Sequence, residues 1–427
     1  MTQRLAVIGA GISGCSAAYI THKTFPNATI TIYEKQPHVG GRILTQTVEE
    51  TNIELGAAFF NDLNPTIKSI VEAEQLKFRQ LNEHANFAVW NGSEIIFRSN
   101  KHSLMTEMEL LAKYKLSLTR TARLIAEAKR QFVKLHQTAQ KAPAEVGELF
   151  EAAELDKWYK KPFDQLLSEA DVEQDFIEEA VSPITRTIYS QNADLGGLAG
   201  ISSLIGVYSG AMYSLVCGNS SLPAHLLDAS EASIQRGTKI EAVEKTANGT
   251  YFIHTKKDSK AFDGVFVTAP LEVAGIKFEG VALPSFSEQT YQMVYRRVVR
   301  GVFEPCFLRL EKEADVPSVV LTTKAADPLT QLSIQRIENG EVLVTASSPQ
   351  PIKDAMFEGM FKARWVTVLE HQWKTAYPQF KPVNKLPPTR IDDGLLYVSA
   401  VEHAVATMET SAFSALNAVK LFRQRVV

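Results

Sequence analysis

The chain has 427 residues, 45% apolar and 22% charged, with 45 basic against 48 acidic side chains and a net charge of −3. That is enough length for two domains around large cores, and there is no basic patch interleaved with aromatics of the kind that binds nucleic acid. Cys15, Cys217 and Cys306 are too few and too scattered for a disulfide framework or a zinc site, so no metal is expected.

The first element is a short buried strand, Leu5–Ile8, followed by Gly9-Ala10-Gly11-Ile12-Ser13-Gly14 and a helix over roughly Ser13–His22. Gly9 suits a tight turn, Gly11 a close backbone approach to a pyrophosphate, and Gly14 close packing of helix on strand. The N–H groups at the helix start, around Ile12 and Ser13, face that phosphate site with the positive end of the helix dipole. Thr29–Tyr33 reads as the second strand. Glu34 follows twenty residues after Gly14, where a carboxylate can accept ribose hydroxyls, with Lys35 beside it. Strand, turn, helix, strand and acid in this order form a dinucleotide-binding fingerprint. Val39-Gly40-Gly41-Arg42 and Glu54-Leu55-Gly56-Ala57 come next.

Ser103–Gln140 carries apolar residues at helical spacing, opening at Leu104, Met108, Leu111 and Leu116 and continuing at Leu124, Ala128, Phe132 and Leu135. More helix is expected over Val146–Ala180. Leu195–Leu227 contains no Asp, Glu, Lys or Arg. Its length would suffice for a membrane span, but its glycines, serines and tyrosines and its lack of basic flanks speak against one. Buried core or the wall of an apolar channel are the readings left open, as is contact with a membrane surface. Lys239–Val243 and Tyr251–His254 flank Asn248-Gly249 as a hairpin, and Asp263–Pro270 is a buried strand stopped by proline. After Pro284, the runs Val298–Leu310, Val319–Thr323, Leu332–Arg336 and Val342–Ser347 read as antiparallel strands. Gly394–Glu402 is a last strand, and Ala406–Ala412 opens a long helix.

The Gly40-Gly41-Arg42 doublet after the fingerprint resembles the GG-doublet flavoproteins, the broad amine-oxidase-like group. The resemblance implies FAD as cofactor. Gly40 and Gly41 would run under the nucleotide, Arg42 would neutralise the pyrophosphate, and Gly56 and Ala57 would pass close to the flavin ring. The Val243 backbone would meet the adenine and Glu402 the ribityl chain. The helix start at Thr407 and Met408 would point N–H groups at the flavin N1–C2=O edge, where reduction places negative charge. No cysteine lies in that last segment, so the FAD is expected to be non-covalent.

The segment Val181–Asn192, the apolar run and Met212–Asn219 resemble prenylcysteine oxidase at Tyr189, Gln191, Gly218 and Asn219, with Cys217 standing where a glycine would be expected. This implies hydride removal from an apolar thioether by FAD, giving an aldehyde, a free thiol and, with molecular oxygen, hydrogen peroxide. No strong side-chain base is needed, because sulfur and the allyl group stabilise the cation. Tyr189, Gln191, Asn219 and His403 are the candidates near the flavin. An amine oxidase, with Tyr208, Tyr213, Tyr291 and Tyr295 available for an aromatic cage, an isoprenoid desaturase and a non-catalytic flavin protein remain alternatives.

The expected fold class is therefore α/β. A Rossmann-like FAD-binding domain, with a parallel sheet and a β-hairpin insertion, takes residues 1–80, 223–280 and 386–427. A discontinuous α+β substrate domain of antiparallel sheet and helices takes 81–222 and 281–385. The fingerprint begins almost at the first residue, with no leader ahead of it, so a cytoplasmic protein is expected.

Overall fold

The computed structural model describes residues 3–83, 86–99, 103–138, 145–208 and 210–426. Side chains of 103–111 and 115 lie outside that description, and with them the expected helix opening at Leu104, Met108 and Leu111.

Alternation of side chains across the first strand, Arg4–Ile8, sets up two cores at once. Leu5 and Val7 pack against the C-terminal helix through Val419 and Phe422. Ala6 and Ile8 face a second core shared with the helical half of the molecule. That strand is central in a six-stranded sheet ordered Ser233–Arg236, Thr29–Glu34, Arg4–Ile8, Gly264–Val267, Leu395–Tyr397, Arg390–Asp392. The first five are parallel and the last is antiparallel. The chain leaves Arg4–Ile8 toward Thr29–Glu34 on one side and returns on the other at Gly264–Val267. A crevice therefore opens at their carboxyl ends, the usual ligand position in such sheets.

The expected hairpin forms as Ile240–Lys245 with Tyr251–Thr255, inside a four-stranded sheet that also takes Ser259–Phe262 and Lys277–Glu279. Ser103–Thr138 is one helix of 36 residues, with Ala128 and Leu135 buried and Leu116 62% exposed. Val146–Ala180 breaks into short helices, Val146–Ala152, Asp156–Tyr159, Phe163–Glu169 and Gln174–Phe176, and enters a π-turn at Ile177–Val181.

The uncharged run divides into the helix Gly197–Tyr208, the strand Met212–Leu215 and the helix Ser221–Ala229. The first of these is packed as core. A Cβ on Gly197 would lie 2.4 Å from the Trp158 carbonyl, and one on Gly200 2.2 Å from the Phe163 ring. Among the described residues no helix is long and apolar enough to cross a membrane.

The largest sheet has seven strands, ordered Val366–Pro378, Tyr291–Gly301, Val342–Ser348, Gln331–Arg336, Val319–Thr322, Phe87–Trp90, Ile95–Arg98. All neighbours are antiparallel except Val319–Thr322 with Phe87–Trp90. The strand expected over Val298–Leu310 is corrected at both ends. It starts at Tyr291 and stops at Gly301, because Pro305 opens a 3-10 turn, Pro305–Leu308. One face of the sheet is apolar: Val299, Val344, Ala346, Leu332, Ile334 and Val320 pack under Phe303, Phe357 and Phe361. The alternating residues on the opposite, inner face are mixed. Val298 and Leu343 pack on Ile53 and Leu55, while Arg296, Thr345, Ser347 and Gln331 are polar.

Candidate active site

Three blocks from the first 57 residues meet at the crevice. A Cβ on Gly14 would fall 1.9 Å from the Gly9 carbonyl oxygen, so only glycine lets the helix Ile12–Thr24 start this close to the strand. The Gly40 N–H donates to the Ala10 carbonyl at 2.9 Å, and Gly11 and Gly40 form a parallel bridge. A Cβ on Gly41 would lie 3.0 Å from Gly11 Cα, so the doublet lies flat on the first glycine turn. The Ala57 N–H donates to the Arg42 carbonyl at 3.1 Å and fixes the third block, with Gly56, against the second. Gly9, Gly11, Gly56 and Ala57 are partly exposed and Gly41 is exposed.

Glu34 ends its strand beside the first turn and is 7% exposed. Its Oε2 accepts the Ala10 N–H and its Oε1 the Gln36 N–H, both at 2.7 Å. One lone-pair direction on each oxygen is thus taken by backbone, which orients the carboxylate and leaves the others for a ligand hydroxyl. Lys35 is exposed. Ile12 and Ser13 are buried at the helix start.

Arg42 and Glu402 pair with each other. Arg42 Nη2 bonds Glu402 Oε1, and Nη1 reaches the Ala376 carbonyl at 3.4 Å. Burial works against the Arg42 charge, but Glu402 outweighs it and raises its pKa above the ordinary value. The Arg42 side chain is 32% exposed and Glu402 only 3%. Glu402 Oε2 is buried with no hydrogen-bond partner among the described residues. Tyr291 stands beside the pair, its hydroxyl pKa pushed up by burial and then by the Glu402 charge.

The last strand is shorter than expected. Leu395–Tyr397 is followed by a 3-10 turn, Val398–His403, and the helix begins at Met408. Thr407 and Thr410 cap that helix reciprocally. The Thr410 N–H donates to Thr407 Oγ1 and the Thr407 N–H to Thr410 Oγ1, each at 3.0 Å. The Thr407 N–H is therefore committed to the cap, and the next N–H groups, from Met408 on, are the ones without an intrahelical acceptor.

Four candidates are placed as structural groups. Asn219 is 1% exposed. Its Oδ1 accepts the Leu215 N–H at 3.0 Å, its Nδ2 donates to the Ala57 carbonyl at 3.1 Å, and its own N–H donates to Glu54 Oε1 at 2.8 Å. Gln191 clamps the chain at Pro378 and Phe380, donating at 2.9 Å and accepting at 3.0 Å. His403 lies 3.1 Å from Glu272 Oε1 and packs on Phe286, so it is engaged away from Glu402. Val243 is fully buried, on a strand paired along both edges. Tyr189 donates to the Ala406 carbonyl at 3.1 Å and meets Tyr377 and Phe380 edge-on. It thereby ties the aromatic cluster to the segment before the helix at Met408. Of the four tyrosines available for a cage, only Tyr291 is beside Arg42. Tyr213 packs with Phe60 and Phe78, Tyr295 bonds Gln372 at the exposed edge, and Tyr208 is 47% exposed.

Glu409, not singled out from sequence, joins two helix starts. It is 5% exposed and accepts the Thr66 and Ile67 N–H groups at 3.0 and 2.9 Å. Burial pushes its carboxyl up to about 7, and burial pulls His136, 3.4 Å away, down to about 4.

This site fits a dinucleotide such as FAD. It offers a groove of bare glycine backbone, an oriented acid at Glu34, a buried Glu402 oxygen without a protein partner, and a helix N-terminus. Among the described residues no cluster of His, Cys, Asp or Glu could hold a metal.

Comparison with known proteins agrees. Residues 97–427 match the family model described as prenylcysteine lyase, and residues 7–73 one for an NAD(P)-binding Rossmann-like domain. The chain is 28% identical to farnesylcysteine lyase of Arabidopsis thaliana, covering 99% of this chain and 88% of that one. It is 26% identical to prenylcysteine oxidase 1 of Homo sapiens, covering 99% and 89%. Among solved structures, cyclohexylamine oxidase from Brevibacterium oxydans IH-35A has a TM-score of 0.67 at 14% identity, over 100% of both chains. A fatty acid isomerase from P. acnes has a TM-score of 0.64 at 16%, over 98% of each chain. These last two share the fold. Fold and site together define an FAD-dependent oxidoreductase of the amine-oxidase-like architecture. Within that class, the chain belongs to the prenylcysteine lyase family.

Proposed function

We propose that this protein oxidises the thioether of a prenylated cysteine with FAD, releasing a free thiol, a prenyl aldehyde and, with oxygen as acceptor, hydrogen peroxide. The observation that carries this reading is that the cofactor groove and the inner face of the seven-stranded sheet share a wall. Arg42 Nη1 reaches the Ala376 carbonyl at 3.4 Å, and Trp373 Nε1 donates to the Leu55 carbonyl at 2.8 Å. The match to the prenylcysteine lyase family covers that sheet from Phe97 onward. When bound, FAD supplies a two-electron, hydride-accepting centre.

The chain's own residues hold and orient. Gly9, Gly11, Gly14, Gly40 and Gly41 admit the pyrophosphate, with Arg42 as its counter-charge, and Glu34 accepts from the ribose. Glu402 Oε2 would accept from the ribityl chain. The Met408 N–H, at a helix start fixed by Thr407 and Thr410, would serve negative charge developing on the flavin. Gly56 and Ala57 would border the ring. Tyr189, Tyr377 and Phe380 give an apolar wall that excludes water from a prenyl chain. Sulfur stabilises the cation left on the adjacent carbon, so no side-chain base is assigned. Water then adds, and the hemithioacetal collapses to thiol and aldehyde. We assign the nucleotide half to residues 1–80, 223–280 and 386–427, and the substrate half to 81–222 and 281–385.

Anaerobic mixing of the purified yellow protein with farnesylcysteine tests this. Bleaching of the flavin band, followed by recovery and peroxide on admitting air, is expected. Release of thiol without bleaching would make the reaction a lyase in the strict sense. Neither thiol nor bleaching would remove prenylcysteine as substrate. Denaturation is expected to release the flavin to the supernatant, since it is bound non-covalently.

A further inference from the structure

The inner face of the seven-stranded sheet carries a row of polar side chains with buried atoms that have no hydrogen-bond partner among the described residues. Arg296 pairs directly with Ser347 on one neighbouring strand and with His371 on the other. Directly paired residues project to the same face, about 5 Å apart at Cβ. Arg296 Nε, Ser347 Oγ and His371 Nε2 are all buried without a hydrogen-bond partner among the described residues.

The adjacent Arg297, which points to the opposite face, shows what a satisfied arginine looks like here. It bonds Thr367 Oγ1 and the Ile352 carbonyl, and it pairs with Asp354 and Glu370. Arg296 has no such acid. Burial lowers its pKa from the ordinary value, with Tyr377 acting weakly against this. Burial, and then the charges of His38 and Arg296, lower that of His371. Arg296 is half-buried, with its Nε fully so, and a buried guanidinium N–H without an acceptor is costly unless a ligand brings one. Further along the same pair of strands Tyr377 pairs with Gln292, close enough to Arg296 for its hydroxyl to act on the guanidinium, and it joins the Tyr189–Phe380 aromatic cluster. An apolar wall thus adjoins a set of hydrogen-bond donors with no acid among them.

We propose that Arg296, with Ser347 and His371 on either side, is the seat for the α-carboxylate of the amino-acid end of the substrate. The assignment rests on the thioether oxidase reading above and adds to it a specificity-determining group. The apolar chain would lie along Tyr377 and its neighbours. The thioether, only a few bonds from the carboxylate, would be held in one register by a bidentate guanidinium contact.

The test compares farnesylcysteine with its methyl ester. The wild-type protein is expected to favour the acid by about tenfold to hundredfold in kcat/KM, as loss of a charge-assisted hydrogen bond implies. In Arg296→Gln that ratio should fall toward one, mainly through KM for the acid, and Arg296→Lys should restore part of it. Quenching of tryptophan fluorescence by each compound, read without turnover, should show the same preference, and flavin content and visible spectrum should match the wild type. Equal use of acid and ester by the wild-type protein would overturn the seat while leaving the oxidase reading standing. So would an Arg296→Gln protein that loses flavin, or shifts its spectrum, with the ratio unchanged, since the guanidinium would then serve the cofactor. Should Arg296→Gln not fold, the ratio in Arg296→Lys decides: wild-type discrimination with a point-charge ammonium would refute bidentate recognition. Tighter binding of the acid with no flavin reduction by either compound would keep the seat and reject the oxidase reading.

Discussion

The nucleotide groove and the inner face of the seven-stranded sheet are built on opposite plans. The groove is made of backbone. Gly9–Gly14, Gly40–Gly41 and Gly56 bring main chain against main chain, and the few side chains there are held by protein partners, Glu34 by nearby backbone and Glu402 by Arg42. The sheet face is made of side chains from strands far apart in sequence, and several of its polar atoms have no hydrogen-bond partner among the described residues. A site made of backbone can be satisfied by one kind of ligand in one pose. A site made of side chains can change its ligand by substitution, so the groove is the fixed half of the enzyme and the sheet face the adaptable one.

The strongest way to break this contrast is at Gly14. Gly14→Ala puts a Cβ where the Gly9 carbonyl already stands, 1.9 Å away. A destabilisation above about 4 kcal/mol is expected, seen as insoluble or flavin-free protein. Gly11→Ala is the sharper partner experiment. Its Cβ would sit 3.7 Å from Gly41 Cα, an ordinary contact, at a φ of −77° that alanine accepts. Stability should change by less than about 1 kcal/mol while FAD affinity drops. Retained flavin in soluble Gly11→Ala protein would mean the pyrophosphate does not cross that turn.

Next in size is the Arg42–Glu402 pair. Glu402→Ala leaves a partly buried guanidinium without its acid, and about 3 kcal/mol of stability should be lost in urea denaturation, less if solvent reaches Arg42. Added FAD should recover less of it than in wild type, because the Oε2 acceptor is gone too. Equal recovery would show that Glu402 serves only Arg42.

The two halves also differ in how much of them sequence reveals, and the reason is range. Gly9, Gly11, Gly14 and Glu34 are legible because turn, helix and second strand follow one another within one βαβ unit. Arg42 and Glu402 were each expected at the cofactor from the family resemblance, yet nothing in their spacing of 360 residues announces that they pair. Asn219 and Gln191 stood out through the resemblance to prenylcysteine oxidase, and both turn out to hold backbone. The strand Val366–Pro378 escaped notice because it is a partly exposed edge without clean alternation. The row Ser347–Arg296–His371 depends on cross-strand register, which one sequence does not carry. Glu409 was in plain view within the helix opening, but its partners Thr66 and Ile67 lie more than 340 residues away.

A smaller effect tests the helix Gly197–Tyr208, which was open to reading as channel or core. Gly197→Ala would drive a Cβ to 2.4 Å from the Trp158 carbonyl. Roughly 2 to 3 kcal/mol should be lost, with the acid-to-ester ratio unchanged in the protein that folds. A shift in that ratio would mean the helix touches substrate as well as core.

The smallest expected effect is also the one in which sign matters most. Glu409 has an ordinary pKa of 4.5 and a folded value near 7. Its contribution to stability is therefore fully present below 4.5 and is lost as pH rises toward 7. His136 moves the other way, from 6.5 to about 4, so its contribution is present above 6.5 and is lost as pH falls toward 4. Between 4.5 and 6.5 the two slopes oppose each other. Unfolded, the histidine holds the proton and the glutamate does not; folded, the assignment is reversed and the count is the same. Wild-type stability should be nearly flat there as far as this pair is concerned. His136→Gln should unmask a decline of roughly 2 kcal/mol as pH rises through that window, and Glu409→Gln a rise of similar size. Urea midpoints at half-unit pH steps measure both. Parallel curves for all three proteins would mean that His136 and Glu409 keep their ordinary protonation in the fold. The helix start at Met408 would then carry a charged carboxylate held by the Thr66 and Ile67 N–H groups, complementing the positive end of the helix dipole.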